Sequence, residues 1–182
     1  MRLYDGGAFE RLGHLRRLPL VGGDRAAREP WRMAAAALHL LGRQGEIARR
    51  FDAQPAAGTV TQMLERRING PATASMGRWF DAAAGLLGVR ETMAYEGQAA
   101  MLLEALAEGC DGSDVLASGW TVGADLNLDL LPLLANLAEE PDAARGARRF
   151  HATLVAALDA WVAAAVEATA LRRIVFGGGC FM

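Results

Sequence analysis

Residues 73–100, TASMGRWFDAAAGLLGVRETMAYEGQAA, place Asp81 four positions after Gly77 and four before Gly85. On a helix that spacing puts all three on one stripe, so the carboxylate stands between two positions with no side chain. Such an acid could accept hydrogen bonds from a diol such as a ribose. The alternative is structural: the glycines permit tight helix packing and Asp81 pairs with Arg78, three residues before it. Glu96-Gly97 then leads into a second helix, whose first N–H groups could face a phosphate or another polar ligand. An acid at a helix start is equally an ordinary stabilising device. Near the other end, residues 174–181 read IVFGGGCF, an apolar strand running into Gly177, Gly178 and Gly179. Bare glycines there would let backbone approach a ligand, although a plain strand-end turn has the same composition.

Many other chemistries are excluded. All 19 basic residues are arginine, which removes Schiff-base lysines and the P-loop lysine. GxGxxG is absent. His14, His39 and His151 show no HxH, HxxxH or HExxH spacing and read as structural residues, so no metal ligand is assigned. No serine lies in GxSxG, and Cys180 has no base near it in sequence, so no catalytic nucleophile is assigned. Cys110 and Cys180 are 70 positions apart with no CxxC spacing, which fits a reducing, cytoplasmic setting. A net charge of -2 supplies no general field toward nucleic acid or an anionic membrane. Arg145, Arg148 and Arg149 read as a solvated basic face. The N-terminus lacks signal-peptide character, and no apolar run approaches the ~20 residues that span a bilayer.

The elements that must position these residues are mostly helical. With 182 residues, 52% of them hydrophobic, the chain suits one domain with an ordinary core. Residues 1–20 read as a hairpin turning through Gly6-Gly7. A helical region follows over 28–110: Pro30 opens a helix that stops at Gly42, a shorter one covers 44–51, and Thr59 caps a third over 60–68. Two more helices carry Asp81 and follow Gly97. A strand and helix region spans 118–182, with one or two strands in 120–128, a helix over 129–137, a long helix from Pro141-Asp142 to about Leu171, and a buried strand at 174–176. The fold class is helix-rich α/β with a small sheet.

The order of these segments resembles the C-terminal part of the HypF family of hydrogenase-maturation carbamoyltransferases. The resemblance rests on GAFERLGHLRRLPLVGGDRAAREPWRMA, NGPATASMGRWFDAAAGLLG, YEGQAAMLLEALA, RFHATL and IVFGGGCF, in that order. It implies a partial lobe of the actin-like, ribonuclease H-like ATPase superfamily. It further implies transfer of a carbamoyl group from ATP-derived carbamoyl adenylate to the C-terminal cysteine of HypE. By the same resemblance, Asp81 matches a ribose-binding acid, Glu96 and Gly97 a second nucleotide contact, and Gly178 and Gly179 an adenosine-phosphate glycine turn. The family's metal-binding His-x-x-x-His segment has no counterpart here, and the usual Ser-Gly-Gly is Gly-Gly-Gly. The chain is therefore expected to be a fragment or truncated relative that binds no family metal and is inactive alone. The alternative is a non-catalytic interaction module that docks on a maturation partner, on a missing N-terminal HypF portion, or on a second copy of itself.

Overall fold

In a computed structural model, which describes residues 1–4, 9–109, 114–171 and 173–177, the helix opened by Pro30 forms α1, Pro30–Leu40, at the centre of the packing. Pro30 occupies the first turn, where its missing N–H costs nothing. Every residue from Pro30 to Leu38 is buried, Arg32 among them, so the helix is enclosed on all sides. The helix ends where Gly42 takes a φ of 72°. Helix α4, Met76–Leu86, lies along α1. A Cβ at Gly85 would stand 2.7 Å from the Pro30 carbonyl oxygen and 2.9 Å from the Ala34 Cβ. Only a residue without a side chain allows the two helices this close.

Around this pair stand α2, Ile47–Arg50; α3, Ala57–Arg66; α5, Gln98–Leu106; α6, Leu131–Leu137; and α7, Ala143–Thr169. Asp142 caps α7, its Oδ1 accepting from the N–H groups of Ala144 at 2.9 Å and Arg145 at 3.1 Å. Phe150, Leu154, Ala157, Trp161 and Ala165 form the stripe that α7 turns inward. By length and composition α7 could cross a membrane, with a mean hydropathy of 1.4 over its most apolar window. No single apolar run had suggested this, because arginines interrupt the helix's first half. Its inward stripe is committed to the core, where Phe150 meets Phe80 edge-on with ring centroids 4.9 Å apart. Trp161 donates from Nε1 to the Leu126 carbonyl at 2.6 Å.

The strands are short and form three two-stranded antiparallel ladders among the described residues. In the first, β1, Arg2–Tyr4, pairs with β2, Phe9–Arg11, in the register Leu3 opposite Glu10. The second joins β3, Leu18–Pro19, to β4, Ala72–Thr73. The third joins β5, Thr121–Val122, to β6, Leu128–Asp129, and a single parallel bridge links Leu15 to Leu128.

Five expectations need correction. The hairpin does not extend to residue 20, because Leu18 is fully buried and its strand leaves to pair with β4. Thr59 is not a cap: Ala57 N–H donates to the Gln54 carbonyl, and α3 starts at Ala57, three residues before the expected start. The helix expected over 129–137 begins at Leu131, whose N–H donates to Asp129 Oδ1 at 2.8 Å from the end of β6. Residues 174–176 form no strand, and Ile174, Val175 and Phe176 are 48, 92 and 60% exposed. Finally, Arg149 is part-buried rather than on a solvated face, and Arg145, though exposed as expected, is ion-paired. Glu140 Oε2 accepts from Arg145 Nε at 2.8 Å and Arg149 Nη1 at 3.1 Å, and Arg149 Nη2 reaches Asp114 at 3.0 Å. The Arg145 hydrogen bond, more than any other contact, holds the Glu140 carboxyl at about 2.

Two glycine substitutions test the central contact. Gly85→Ala should lower unfolding free energy in urea melts by about 1–3 kcal/mol, since the Pro30 backbone cannot move aside without shifting α1. Gly58→Ala, on the exposed side of α3 with nothing within 4 Å of an added Cβ, should raise it by about 0.5–1 kcal/mol.

Candidate functional site

The α1–α4 contact decides the environment of Asp81. One turn before Gly85 on the same stripe, Asp81 is 3% exposed. Its Oδ2 lies 3.0 Å from Arg78 Nη2, yet no donor is aligned to make a hydrogen bond with that oxygen. The distance supports charge attraction; the angles leave the lone pairs unsatisfied. Burial accordingly pushes the carboxyl up to about 6, against the pull of the Arg78 guanidinium. The Gly77 end of the stripe differs from the Gly85 end. A Cβ at Gly77 would meet only Ser75 Oγ, at 3.8 Å. The structural alternative is thus what the geometry displays, with Gly85 a packing glycine and Asp81 beside Arg78, while Asp81 Oδ2 keeps no aligned hydrogen-bond donor.

Helix α5 packs against α4 and starts where expected, with Gly97 as the residue before it at a φ of 80°. Nothing lies within 4 Å of where a Gly97 Cβ would be, so the glycine is required by its backbone conformation rather than by crowding. Glu96 is exposed. The N–H groups behind it are not all open: Gln98 donates to the Tyr95 carbonyl at 3.4 Å and Ala99 to the Met93 sulfur at 3.3 Å. The first is a long contact and the second ends on a weak acceptor, so both are poorly satisfied donors at a positive helix end. Gly178, Gly179, Cys110 and Cys180 lie outside the described residues.

Sequence reasoning missed the polar stitching that holds the loop between α4 and α5. Trp31 N–H donates to the Glu91 carbonyl, Met93 N–H to the Arg28 carbonyl at 2.8 Å, and Gln54 Nε2 to Glu91 Oε2 at 2.7 Å. Thus the loop that leads to Gly97 is tied to the start of α1, the element α4 also rests on. Nearby, Glu29 Oε2 accepts from Arg32 Nε and from Trp31 Nε1, which gives a charge partner to an arginine that is 4% exposed. The only signal for this in the sequence was the clustering of Glu29, Trp31 and Arg32 around Pro30. The histidines are apart: His151 Nδ1 lies 2.8 Å from the Ala147 carbonyl, and His14 Nδ1 lies 2.8 Å from that of Leu15. Among the described residues no three His, Cys, Asp or Glu side chains stand close enough to hold a metal ion.

Two grooves lie elsewhere. One of about 650 Å³ runs between Phe9, Leu12, the last turns of α7 and Ile174 and Val175. A shallower polar one is lined by His14, Arg16, Asp125, Asn127 and Asp129. Asp81, Glu96 and Gly97 line neither. The polar groove's acids are already engaged, Asp129 with Arg16 and Asp125 with Asn127.

Asp81 sets a pH dependence of known sign. Folded Asp81 holds its proton more tightly than the ordinary 3.8, so its contribution is fully present below pH 3.8 and is lost as pH rises through about 6. That difference corresponds to about 3 kcal/mol at most. Asp81→Asn should therefore stabilise the protein by about 1–3 kcal/mol at pH 7 and flatten the decline in stability between pH 4 and 6. Urea melts across that range provide the check, and an Asp81→Asn protein less stable at pH 7 would contradict it.

Comparison with known proteins agrees with this architecture. Residues 2–182 match the family described as carbamoyltransferase, Kae1-like domain, second subdomain. The chain is 58% identical to carbamoyltransferase HypF2 of Cupriavidus necator, over 99% of this chain and 26% of that protein. It is 50% identical to a carbamoyltransferase HypF homolog of the same organism, over 94% of this chain and 47% of that protein. Its fold superposes on a crystal structure of full-length HypF in the phosphate- and nucleotide-bound form with a TM-score of 0.82 and 25% identity, covering 99% of this chain and 24% of that one. The chain thus spans about a quarter of the length of HypF2 and of the crystallised HypF, and over that span its sequence and its helix-rich α/β fold make it a member of the HypF carbamoyltransferase family.

Proposed function

We propose that residues 1–182 are one unit of a HypF-type carbamoyl-transfer domain, an actin-like, ribonuclease H-like lobe that carries part of an adenine-nucleotide site. The observation that carries this reading is Asp81, a carboxylate buried to 3% exposure whose Oδ2 lacks an aligned donor. A buried acceptor short of donors is costly unless something supplies them. A ribose diol has two O–H donors and no charge, which suits a carboxylate already beside Arg78. Glu96 and Gly97 would form the second contact, where the weakly held N–H groups of Gln98 and Ala99 could exchange acceptors for a phosphate oxygen. Gly178 and Gly179 would bring backbone to the adenosine phosphate.

In the complete reaction the thiolate of the C-terminal cysteine of HypE attacks the carbonyl carbon of carbamoyl adenylate. A carbon–sulfur bond forms, the carbonyl carbon–phosphate oxygen bond breaks, and AMP leaves with the electron pair. The residues assigned here bind and orient the nucleotide; none of them is a nucleophile or a proton shuttle for that step. The unit on its own is accordingly proposed to bind nucleotide without completing transfer. A second reading, an interaction module of the maturation machinery, is favoured by one observation: Val175 is 92% exposed at the rim of an apolar groove.

Calorimetric titration with ATP and with a stable carbamoyl-adenylate analogue tests the first reading. Binding should occur and should weaken at least tenfold in Asp81→Ala, corresponding to a loss of about 1.4 kcal/mol or more. Equal binding by both proteins would remove Asp81 from the site. No binding by either would leave the interaction module as the better account.

A further inference from the structure

Arg78 is the third residue of α4, in the first turn of a helix whose N-terminus is the positive end of its dipole. A cation is disfavoured there, and α4 has no acid in that turn to offset it. The Arg78 side chain is only 16% exposed and stands beside an Asp81 side chain that is 4% exposed, so the two do not form an ordinary surface ion pair. The helices packed against α4 carry other charged or titratable groups: Arg32 and His39 on α1, Glu104 on α5, and Arg145, Arg148, Arg149 and His151 on the part of α7 that meets α4. Helix α6 carries none. Arg32 is engaged by Glu29, Arg145 and Arg149 by Glu140, and the His151 ring packs on Phe80 with centroids 5.7 Å apart. Two influences act on the Asp81 carboxyl: burial, which raises its hold on the proton, and Arg78, which lowers it.

We propose that Arg78 is a positioning residue of the nucleotide site, whose guanidinium, 3.0 Å from Asp81 Oδ2, keeps that buried carboxylate ionised and able to accept from a ribose diol at neutral pH. The role rests on the nucleotide reading above and adds to it a residue that acts through Asp81. An ionised carboxylate accepts from both hydroxyls in charge-assisted hydrogen bonds, whereas the protonated acid is left with weaker acceptors and a donor of its own. Burial alone would carry the carboxyl above its value of about 6 and into the neutral range, so a nearby cation is what keeps the acceptor charged at pH 7. Arginine suits the position, since a guanidinium is weakly hydrated and loses less than an ammonium on leaving water. Its approach without an aligned hydrogen bond also leaves carboxylate lone pairs for the ligand.

The test measures binding of ATP and of adenosine by the 182-residue chain and by Arg78→Gln from pH 5.5 to 8.5, with the Asp81 carboxyl of each free protein titrated by carbon-13 NMR. Comparing the proteins at each pH cancels the titration of the ligand's own phosphates. Arg78→Gln should raise the carboxyl midpoint by about one pH unit or more. Its affinity for both ligands should fall at least about threefold at pH 6.5, the change that a one-unit rise from about 6 gives, and should recover at pH 8.5. Arg78→Lys, which keeps the charge, should return the midpoint and the profile toward those of the starting chain. Should Arg78→Gln not fold, Arg78→Met, which keeps an aliphatic stem, gives the same readout. An unmoved midpoint would overturn the proposal, as would a loss of affinity equal at every pH. So would a loss confined to ATP, which would make Arg78 a phosphate contact. Binding by the starting chain with an unmoved midpoint removes only the role of Arg78; no binding by any of these proteins removes the nucleotide reading and this role with it.

Discussion

The contact between α1 and α4 at Gly85 is the constraint on which the rest depends. It brings two fully buried tryptophans, Trp31 and Trp79, into one core and fixes where the stripe of α4 lies. With Gly85 pressed on the Pro30 carbonyl, the residue one turn earlier is carried to the edge of the same buried layer. Asp81 is desolvated because Gly85 is bare, and the same close approach would be impossible with alanine there. The loop toward Gly97 is stitched to the start of α1 by Trp31 and Arg28, so both proposed nucleotide contacts are referred to a single helix.

That geometry costs stability. A carboxyl held up to about 6 by burial is partly to fully ionised at neutral pH while lacking donors, and the fold bears the cost. Arg78 offsets part of it at 3.0 Å but leaves Oδ2 without an aligned hydrogen bond. Two other charged clusters are paired. Glu140 is gripped by Arg145 and Arg149, and Arg32 Nε donates to Glu29. Among the described residues, Asp81 is a buried carboxylate that keeps an oxygen without an aligned donor, and Trp79 Nε1 and Arg90 Nε are likewise buried without a partner.

Much of the helical framework was legible because helices announce themselves locally. Pro30, the 3.6-residue apolar spacing of α1 and α7, the Asp142 cap and the positive-φ Gly97 each act within a few residues. What failed was what depends on distant chain. Leu18 belongs to a ladder only because residue 73 arrives beside it, and residues 174–176 have strand composition but are assigned to no ladder among the described residues. Periodicity cannot report the presence of a pairing partner. The site was legible in the same uneven way. Spacing put Gly77, Asp81 and Gly85 on one stripe but could not separate a packing glycine from an uncrowded one, which required knowing that Pro30 lies against Gly85. The ion pairs of Arg145 and Arg149 were hidden for the same reason, since Asp114 and Glu140 lie on other segments.

The most direct measurement is a carbon-13 NMR titration of the Asp81 side-chain carboxyl, alone and saturated with the carbamoyl-adenylate analogue. The account predicts a midpoint near 6 in the free chain. Saturation should move the midpoint down by about 1–2 pH units as ribose hydroxyls donate to the charged form. A midpoint near 3.8 in the free chain, or one near 6 that the analogue does not move although it binds, would contradict it.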